Sequence, residues 1–180
     1  MNTINQENAI LLIIDVQEKL VKMLSNDEVK SASIKIAKAC DILNVPTFIS
    51  EQYPKGLGET ISELKEAIPN ANYIEKTSFS VAHTFANKLL DLNINRKQVI
   101  LFGIETHICV LQTAFDLLNM GYEVFIVKEA CGSRNIEDKE SSLRRLMHAG
   151  AQVVTVEMAL FELLKSSKHP NFKEVQALIK

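Results

Sequence analysis

Ala9-Ile10-Leu11-Leu12-Ile13-Ile14-Asp15-Val16 is the stretch that decides the fold. A near-continuous apolar run of this length is typical of a strand that is covered on both faces in a parallel sheet. The one carboxylate in the run, Asp15, falls near its end, and ligands of open α/β sheets bind at the carboxyl ends of strands. The run therefore predicts a central strand over residues 9–16 with a polar group at its carboxyl end.

Downstream of this strand, short apolar runs rich in Val, Ile and Phe alternate with segments of helical period, which is the pattern of βα units. Ser25-Asn26-Asp27-Glu28 offers a capping box for the first long helix, which Asn44 would end, and residues 51–58 are expected to form a loop. Right-handed crossovers between the strands would give a doubly wound α/β sheet with helices on both faces. Beyond the first strand, we predict strands over residues 45–50, 73–75, 98–102, 122–128 and 152–156.

The composition is that of a globular protein, with 180 residues, 47% apolar and 23% charged, and a formal net charge of -2. We expect a single domain over residues 1–180 that needs no disulfide or structural metal. The small net charge argues against general nucleic-acid binding. The apolar run is too short to span a membrane and residues 1–8 contain no Lys or Arg to open a signal peptide, so we expect a cytoplasmic protein.

Three residues of distinct chemistry lie at the carboxyl ends of predicted strands: Asp15 after the first, Lys76 after the third and Cys109 after the fourth. A thiol in the first turn of a helix faces unpaired N–H groups, and a nearby lysine would also favour the thiolate. Asp15 could accept the thiol proton and return it to a leaving group. Each residue alone has a common structural use, as a turn cap, a surface charge or a buried thiol. Of the other cysteines, Cys40 is expected in the core, and Cys131 is either a wall of the pocket or a thiol without a role.

Three motifs in this order resemble the isochorismatase-like cysteine hydrolases: Leu12-Ile13-Ile14-Asp15-Val16-Gln17, Glu75-Lys76-Thr77-Ser78-Phe79-Ser80 and Gly103-Ile104-Glu105-Thr106-His107-Ile108-Cys109-Val110. The likeness covers nearly the whole chain, including Ser133-Arg134 and Gly150-Ala151. The resemblance implies a Rossmann-like, mainly parallel six-stranded sheet in the order 3-2-1-4-5-6.

The resemblance also implies a catalytic triad in which Asp15 is the base, Lys76 the cation and Cys109 the nucleophile. The family places a cis peptide bond five residues before the cysteine, which here is the bond from Ile104 to Glu105. That geometry would direct the backbone N–H groups of Glu105 and Cys109 toward an oxyanion.

Differences from relatives narrow the range of candidate substrates. Nicotinamidases of this family bind a metal through an Asp and His residues after the second strand, where this chain has Ser50-Glu51-Gln52-Tyr53, and its four histidines show no ligand spacing. We therefore predict no metal and no cofactor. A cysteine nucleophile favours an acyl or carbamoyl intermediate, and hence hydrolysis of the C–N bond of a small amide or ureido compound.

Two alternatives stay open. In a vinyl ether hydrolase of the isochorismatase type Asp15 would act as an acid, and in a non-catalytic interaction protein Cys109 would be a redox-responsive thiol. His107 is two residues from Cys109, which favours a structural or pocket-edge position over a Cys-His pair. A homo-oligomer is expected from the resemblance and from the apolar helices at the chain's end, whose docking onto their own domain is the alternative.

Five residues are candidates for binding a small-molecule substrate. Tyr53 and Phe79 could equally be packing aromatics. Arg134 could hold a substrate carboxylate with two hydrogen bonds or form a structural salt bridge. The full set is Gln17, Tyr53, Phe79, Thr106 and Arg134.

Overall fold

The computed structural model describes residues 2–25 and 27–180. Six parallel strands form one sheet in the order β3-β2-β1-β4-β5-β6, as predicted. Their bounds are β1 Ala9–Ile14, β2 Thr47–Gln52, β3 Asn72–Lys76, β4 Gln98–Ile104, β5 Glu123–Gly132 and β6 Gln152–Val154. Both central strands, β1 and β4, are buried along their whole length, which explains why their sequences are almost entirely apolar.

Helices lie on both faces of the sheet. On one side α2 packs against α4, α8 and α9, and on the other α6 packs against α5 and α7. The long helices and single turns are α1 Glu18–Val21, α2 Glu28–Ile42, α3 Pro54–Leu57, α4 Ser62–Ala67, α5 Ala82–Asp91, α6 Leu111–Asn119, α7 Ile136–His148, α8 Val156–Leu164 and α9 Phe172–Ala177. A π-helical turn, Thr106–Val110, precedes α6. No helix within the described residues is long and apolar enough to cross a membrane.

The predicted cap residues have mixed outcomes. Asn44 adopts the left-handed conformation expected after α2. At the start of α7, Asn135 also acts as a cap by accepting a hydrogen bond from the N–H of Glu137. The capping box at residues 25–28 includes Asn26, which lies outside the described residues. Asp27 stands at the N-cap of α2 but its side chain makes no capping hydrogen bond.

β2, β3, β4 and β5 end one to four residues later than predicted, whereas β1 and β6 each end two residues earlier. β2 continues through Glu51 and Gln52, which we had assigned to a loop, because these residues pair with the end of β3. β5 continues to Gly132, since a shift in register lets Gly103 of β4 pair with Cys131. Pairing with β3 therefore places the polar residues Glu51 and Gln52 in a strand, where the sequence alone indicates a loop.

The close approach of β1 and β4 depends on Gly103. Its φ is +141°, and a Cβ atom there would lie 1.9 Å from the carbonyl oxygen of Ile14. Any side chain at this position would push apart the two strands whose ends lead to Asp15 and Cys109.

The helices at the chain's end dock onto their own domain. Leu163, Leu164 and Val175 are buried in the core of the chain. These three residues need no partner subunit to cover them, whereas Met158 and Phe161 of α8 remain exposed. The homo-oligomer stays a prediction.

Candidate active site

Asp15, Lys76 and Cys109 come together at the carboxyl edge of the sheet. Asp15 follows β1, Lys76 is the last residue of β3, and Cys109 lies in the π-helical turn after β4. β1 and β3 are not neighbours, because β2 lies between them. The side chains of β2 therefore belong to the site as well.

Asp15 is fully buried and both of its carboxylate oxygens are engaged. The Ser50 hydroxyl donates to Oδ1 over 2.6 Å, and the Lys76 ammonium lies 2.6 Å from Oδ2. The backbone of Asp15 has a φ of +51°, a left-handed conformation that is uncommon for a residue other than glycine. This turn directs the carboxylate back across the end of β2 toward Lys76.

Lys76 is buried and has a second oxygen acceptor. The amide oxygen of Gln52 accepts a hydrogen bond of 2.7 Å from its Nζ atom. The Cys109 thiol also lies close enough to Asp15 and Lys76 for both groups to shift its pKa. An ammonium group has three donors, and Asp15 and Gln52 accept two of these hydrogen bonds.

Cys109 is a neutral thiol in this environment. Burial raises its pKa to about 12, with the negative charge of Asp15 acting in the same direction and Lys76 opposing it. Lys76 favours the thiolate as expected, but burial outweighs it and the net shift is upward, because sequence does not reveal how deeply the sulfur is buried. A neutral thiol beside a carboxylate needs that carboxylate to remove its proton.

The other cysteines are inaccessible. Cys109 is 6% exposed, whereas Cys40 and Cys131 are fully buried. Burial raises the pKa of each of these two thiols to about 12 as well. Access, rather than acidity, thus distinguishes the three sulfur atoms.

Glu105 connects the turn before Cys109 to the end of β5. The peptide bond from Ile104 to Glu105 is cis. The Glu105 carboxylate accepts hydrogen bonds from the backbone N–H and the Nε of Arg134, at 3.0 and 2.9 Å. Arg134 thus forms the structural salt bridge considered as one of its two roles, while its side chain remains 57% exposed. The assignment of the Glu105 and Cys109 N–H groups to an oxyanion hole stays a prediction.

Gln17 and Thr106 bind backbone groups rather than facing an open cleft. Gln17 is fully buried, donates from Nε2 to the carbonyls of Gln52 and Gly58, and accepts from the N–H of Gln52. Thr106 is also fully buried and donates to the carbonyl of Gly132. These contacts let both residues shape the site, and direct contact with substrate stays a prediction.

Tyr53 and Phe79 are both more than half exposed. Tyr53 has a left-handed φ of +39° and begins the single turn α3. It borders a cleft of about 460 Å³ that reaches Lys76 and is also lined by Pro54, Lys55, Glu75, Thr77, Ser78 and Thr84. Phe79 does not line this cleft. His107 is half-buried and its Nδ1 is 3.0 Å from the Ser133 hydroxyl, so it forms no pair with Cys109.

Ser50 and Gln52 are the contacts that sequence reasoning missed. Both were noted only as differences from metal-binding relatives. Their spacing of two puts them on the same face of a strand, and β2 neighbours the strand that ends at Asp15. The spacing and the neighbouring strand together could have identified Ser50 and Gln52 as site residues. Among residues 2–25 and 27–180, no three His, Cys, Asp or Glu side chains are grouped so as to hold a metal ion.

Known proteins share the fold and much of the sequence of this chain. The isochorismatase domain model matches residues 9–158. The isochorismatase domain-containing protein 2 of Danio rerio is 40% identical over 98% of this chain and 89% of its own length. The structure of MAR1 ribonuclease from Caenorhabditis elegans superposes with a TM-score of 0.93 at 39% identity, covering 99% of this chain and 92% of that one.

A more distant structure is YcaC from Pseudomonas aeruginosa, solved with hexane-2,5-diol and covalent acrylamide. It has a TM-score of 0.90 and 25% identity, covering 98% of this chain and 91% of that one. The family model spans most of the chain and the Danio rerio relative matches it almost end to end. The chain therefore belongs to the isochorismatase domain family.

Proposed function

We propose that this protein is a cysteine hydrolase that cleaves the C–N bond of a small amide or ureido compound. The observation that carries the proposal is the buried ion pair of Asp15 and Lys76 beside Cys109, which is the least buried of the three cysteines. No metal or cofactor takes part in the proposed reaction, because the nucleophile, the base and the cation are all side chains of this chain.

The reaction begins with proton transfer. Asp15 accepts the thiol proton of Cys109 while the sulfur forms a bond to the substrate's carbonyl carbon, and the C=O electron pair moves to oxygen. The oxyanion would be held by the N–H groups of Glu105 and Cys109. Asp15 then returns its proton to the leaving nitrogen as the C–N bond breaks, which leaves an acyl or carbamoyl thioester. Asp15 then removes a proton from water as its oxygen forms a bond to the thioester carbonyl carbon. The C–S bond breaks, the acyl or carbamoyl group leaves as a carboxylic or carbamic acid, and Asp15 returns the proton to the sulfur of Cys109.

Lys76 balances the negative charge as it moves from carboxylate to sulfur. It lies 2.6 Å from Asp15 and favours the ionised form of Cys109, so one cation serves both the carboxylate and the ionised thiol. A preorganised charge of this kind stabilises the transition state without reorganisation during the reaction.

The acrylamide bound covalently in the Pseudomonas aeruginosa YcaC structure supports a nucleophile in this fold. Acrylamide is an electrophile that adds to thiolates. For this chain, we infer that Cys109 would be the thiol that reacts with such a reagent.

RNA is the second candidate substrate, because the Caenorhabditis elegans relative is named a ribonuclease. Cleaving RNA at this site would require a phosphate to reach Cys109 or Lys76. The net charge of -2 gives no general attraction for a polyanion, which favours the small-molecule proposal. The third candidate reaction is vinyl ether hydrolysis, in which Asp15 would act as an acid, and an experiment must distinguish it from C–N bond cleavage.

A panel of small amides, ureido acids, vinyl ethers and short RNAs would test the proposal, with Cys109→Ala and EDTA-treated protein as controls. We expect turnover of an amide or ureido compound that needs Cys109 and survives EDTA. Turnover of a vinyl ether or an RNA by Cys109→Ala, or activity that EDTA abolishes and zinc restores, would contradict the proposal.

A further inference from the structure

Gln52 has every polar group in a hydrogen bond at the carboxyl edge. Its backbone N–H and carbonyl bond the side chain of Gln17. Its side-chain oxygen accepts from Lys76, and its side-chain nitrogen donates to the carbonyl of Thr77 over 2.8 Å. Gln52 therefore links Gln17, which follows β1, to Lys76 and Thr77 at the end of β3.

The orientation of the Gln52 amide is determined by its two partners. A backbone carbonyl can only accept a hydrogen bond, and an ammonium group can only donate one. The NH₂ end must therefore face Thr77 and the oxygen must face Lys76. The Thr77 carbonyl thus ensures that Lys76 meets an acceptor rather than a second donor.

We propose that Gln52 is a positioning residue that holds the Lys76 ammonium between Asp15 and Cys109. The inference rests on the proposed function for its catalytic meaning. Lys76 is a long side chain with four rotatable bonds, and the acceptors around its Nζ atom restrict where the charge can lie. Gln52 supplies a neutral amide acceptor for Lys76, so it holds the ammonium without adding a negative charge that would oppose ionisation of the thiol.

Gln52 also connects the positioned lysine to the loop that carries Tyr53. Gln17 bonds both the backbone of Gln52 and the carbonyl of Gly58, which closes the loop that begins at Tyr53. The N–H of Tyr53 in turn donates to the carbonyl of Lys76. A substrate bound against Tyr53 would thus lie beside the residues that fix Lys76.

Alkylation of Cys109 by iodoacetamide tests this role without any substrate. The charged groups that bear on the thiol are Asp15 from β1 and Lys76 from β3. Replacing Gln52 by Met keeps the length and removes the acceptor, so Lys76 loses its position. We expect Gln52→Met to slow alkylation at fixed pH by about 3-fold to 10-fold and to move the pH profile upward.

A second variant, Gln52→Glu, keeps an acceptor for Lys76 but adds a negative charge near the sulfur. We expect it to move the alkylation profile upward as well. Gln98→Met is the matched control, since Gln98 is a buried, hydrogen-bonded glutamine at the opposite edge of the sheet. This control should leave the profile in place even where it lowers the thermal stability.

A double-mutant cycle separates positioning from a merely structural role. If Gln52 acts through Lys76, adding Gln52→Met to Lys76→Met should not slow alkylation further. Unchanged or faster alkylation in Gln52→Met and Gln52→Glu, or full additivity with Lys76→Met, would overturn the inference. If Lys76→Met does not fold, the alkylation rates of Gln52→Met and Gln52→Glu alone decide whether Gln52 positions Lys76.

The two proposals fail separately. A shifted alkylation profile in a protein that turns over no amide or ureido compound would keep the positioning role and reject the hydrolase. If turnover depends on Cys109 but the alkylation profile is the same in the Gln52 variants as in the native protein, the hydrolase proposal stands and the positioning role is rejected.

Discussion

The two edges of the sheet use buried polar side chains in different ways. At the amino edge, Gln98 accepts a hydrogen bond from the N–H of Asn5 and donates to the carbonyl of Thr3 and the carboxylate of Glu123. These contacts fasten the N-terminal segment to the sheet. At the carboxyl edge, Asp15 and Lys76 form a buried ion pair with side chains supplied by the strand between them.

The difference lies in what each edge holds in place. The amino edge fixes backbone, and its polar groups satisfy one another as part of the fold. The carboxyl edge fixes charges next to a thiol, and burying an ion pair is at best a weak source of stability. The comparison predicts that substitutions at the carboxyl edge change chemistry, whereas substitutions at the amino edge change stability.

The largest effect is expected at Cys109. Cys109→Ala should abolish turnover of an amide or ureido substrate, because no covalent intermediate can form. Cys109→Ser should be nearly as poor, since a hydroxyl is a far weaker acid than a thiol and Asp15 cannot ionise it readily. Steady-state kinetics with the best substrate of the panel measures both. Substantial activity in Cys109→Ala would remove the covalent mechanism.

The second largest effect is expected at Asp15. Asp15→Asn keeps the size of the side chain but cannot accept the thiol proton, so kcat should fall by about 10²-fold to 10⁴-fold while substrate still binds. The measurement is kcat and KM, with thermal unfolding as the check on folding. Loss of activity in Asp15→Asn while Cys109→Ala stays active would indicate that Asp15 acts as an acid on a vinyl ether.

The pH dependence of Cys109 alkylation gives a moderate, graded effect. With a pKa raised to about 12, the thiolate fraction is small near neutral pH and grows about tenfold with each pH unit. The alkylation rate of the native protein should therefore rise through pH 10 without a plateau. In urea the exposed thiol should level off near its ordinary pKa of about 8.5.

Peptide mapping should place the label first on Cys109, since Cys40 and Cys131 are fully buried. A plateau below pH 8 in the native protein would show that Lys76 holds a preformed thiolate. Asp15 would then not be needed as the base for the first step. Early labelling of Cys40 or Cys131 would contradict the argument from access.

Much of the fold could be predicted because its determinants are local in the sequence. The buried strand over residues 9–14 is apolar throughout, and the order of βα units admits few topologies. The end of β2 could not be predicted in this way. Glu51 and Gln52 have the composition of a loop, and only their pairing with Glu75 and Lys76 of β3 makes them a strand.

The site shows the same division between local and non-local information. Asp15, Lys76 and Cys109 stand out because their chemistry is unusual at strand ends. The direction of the pKa shift at Cys109 could not be predicted, because burial depends on segments far away in the chain. Ser50 and Gln52 are common residues, and their importance lies in which side chains they contact.

The smallest chemical effect is expected at the amino edge, where Gln98 provides the counterpart of Gln52. Gln98→Met removes the acceptor for the N–H of Asn5 and the donor to Thr3 and Glu123, and the site is buried. The loss should lower the free energy of unfolding by about 1 to 3 kcal/mol, the cost of leaving buried polar groups unpaired. Because these partners belong to the N-terminal segment and to the start of β5, and not to the carboxyl edge, kcat and the alkylation profile of Cys109 should stay unchanged. Denaturant unfolding measures the first quantity and kinetics the others. A fall in kcat at full folding would mean that the two edges are coupled through β4, and the division of labour between them would be wrong.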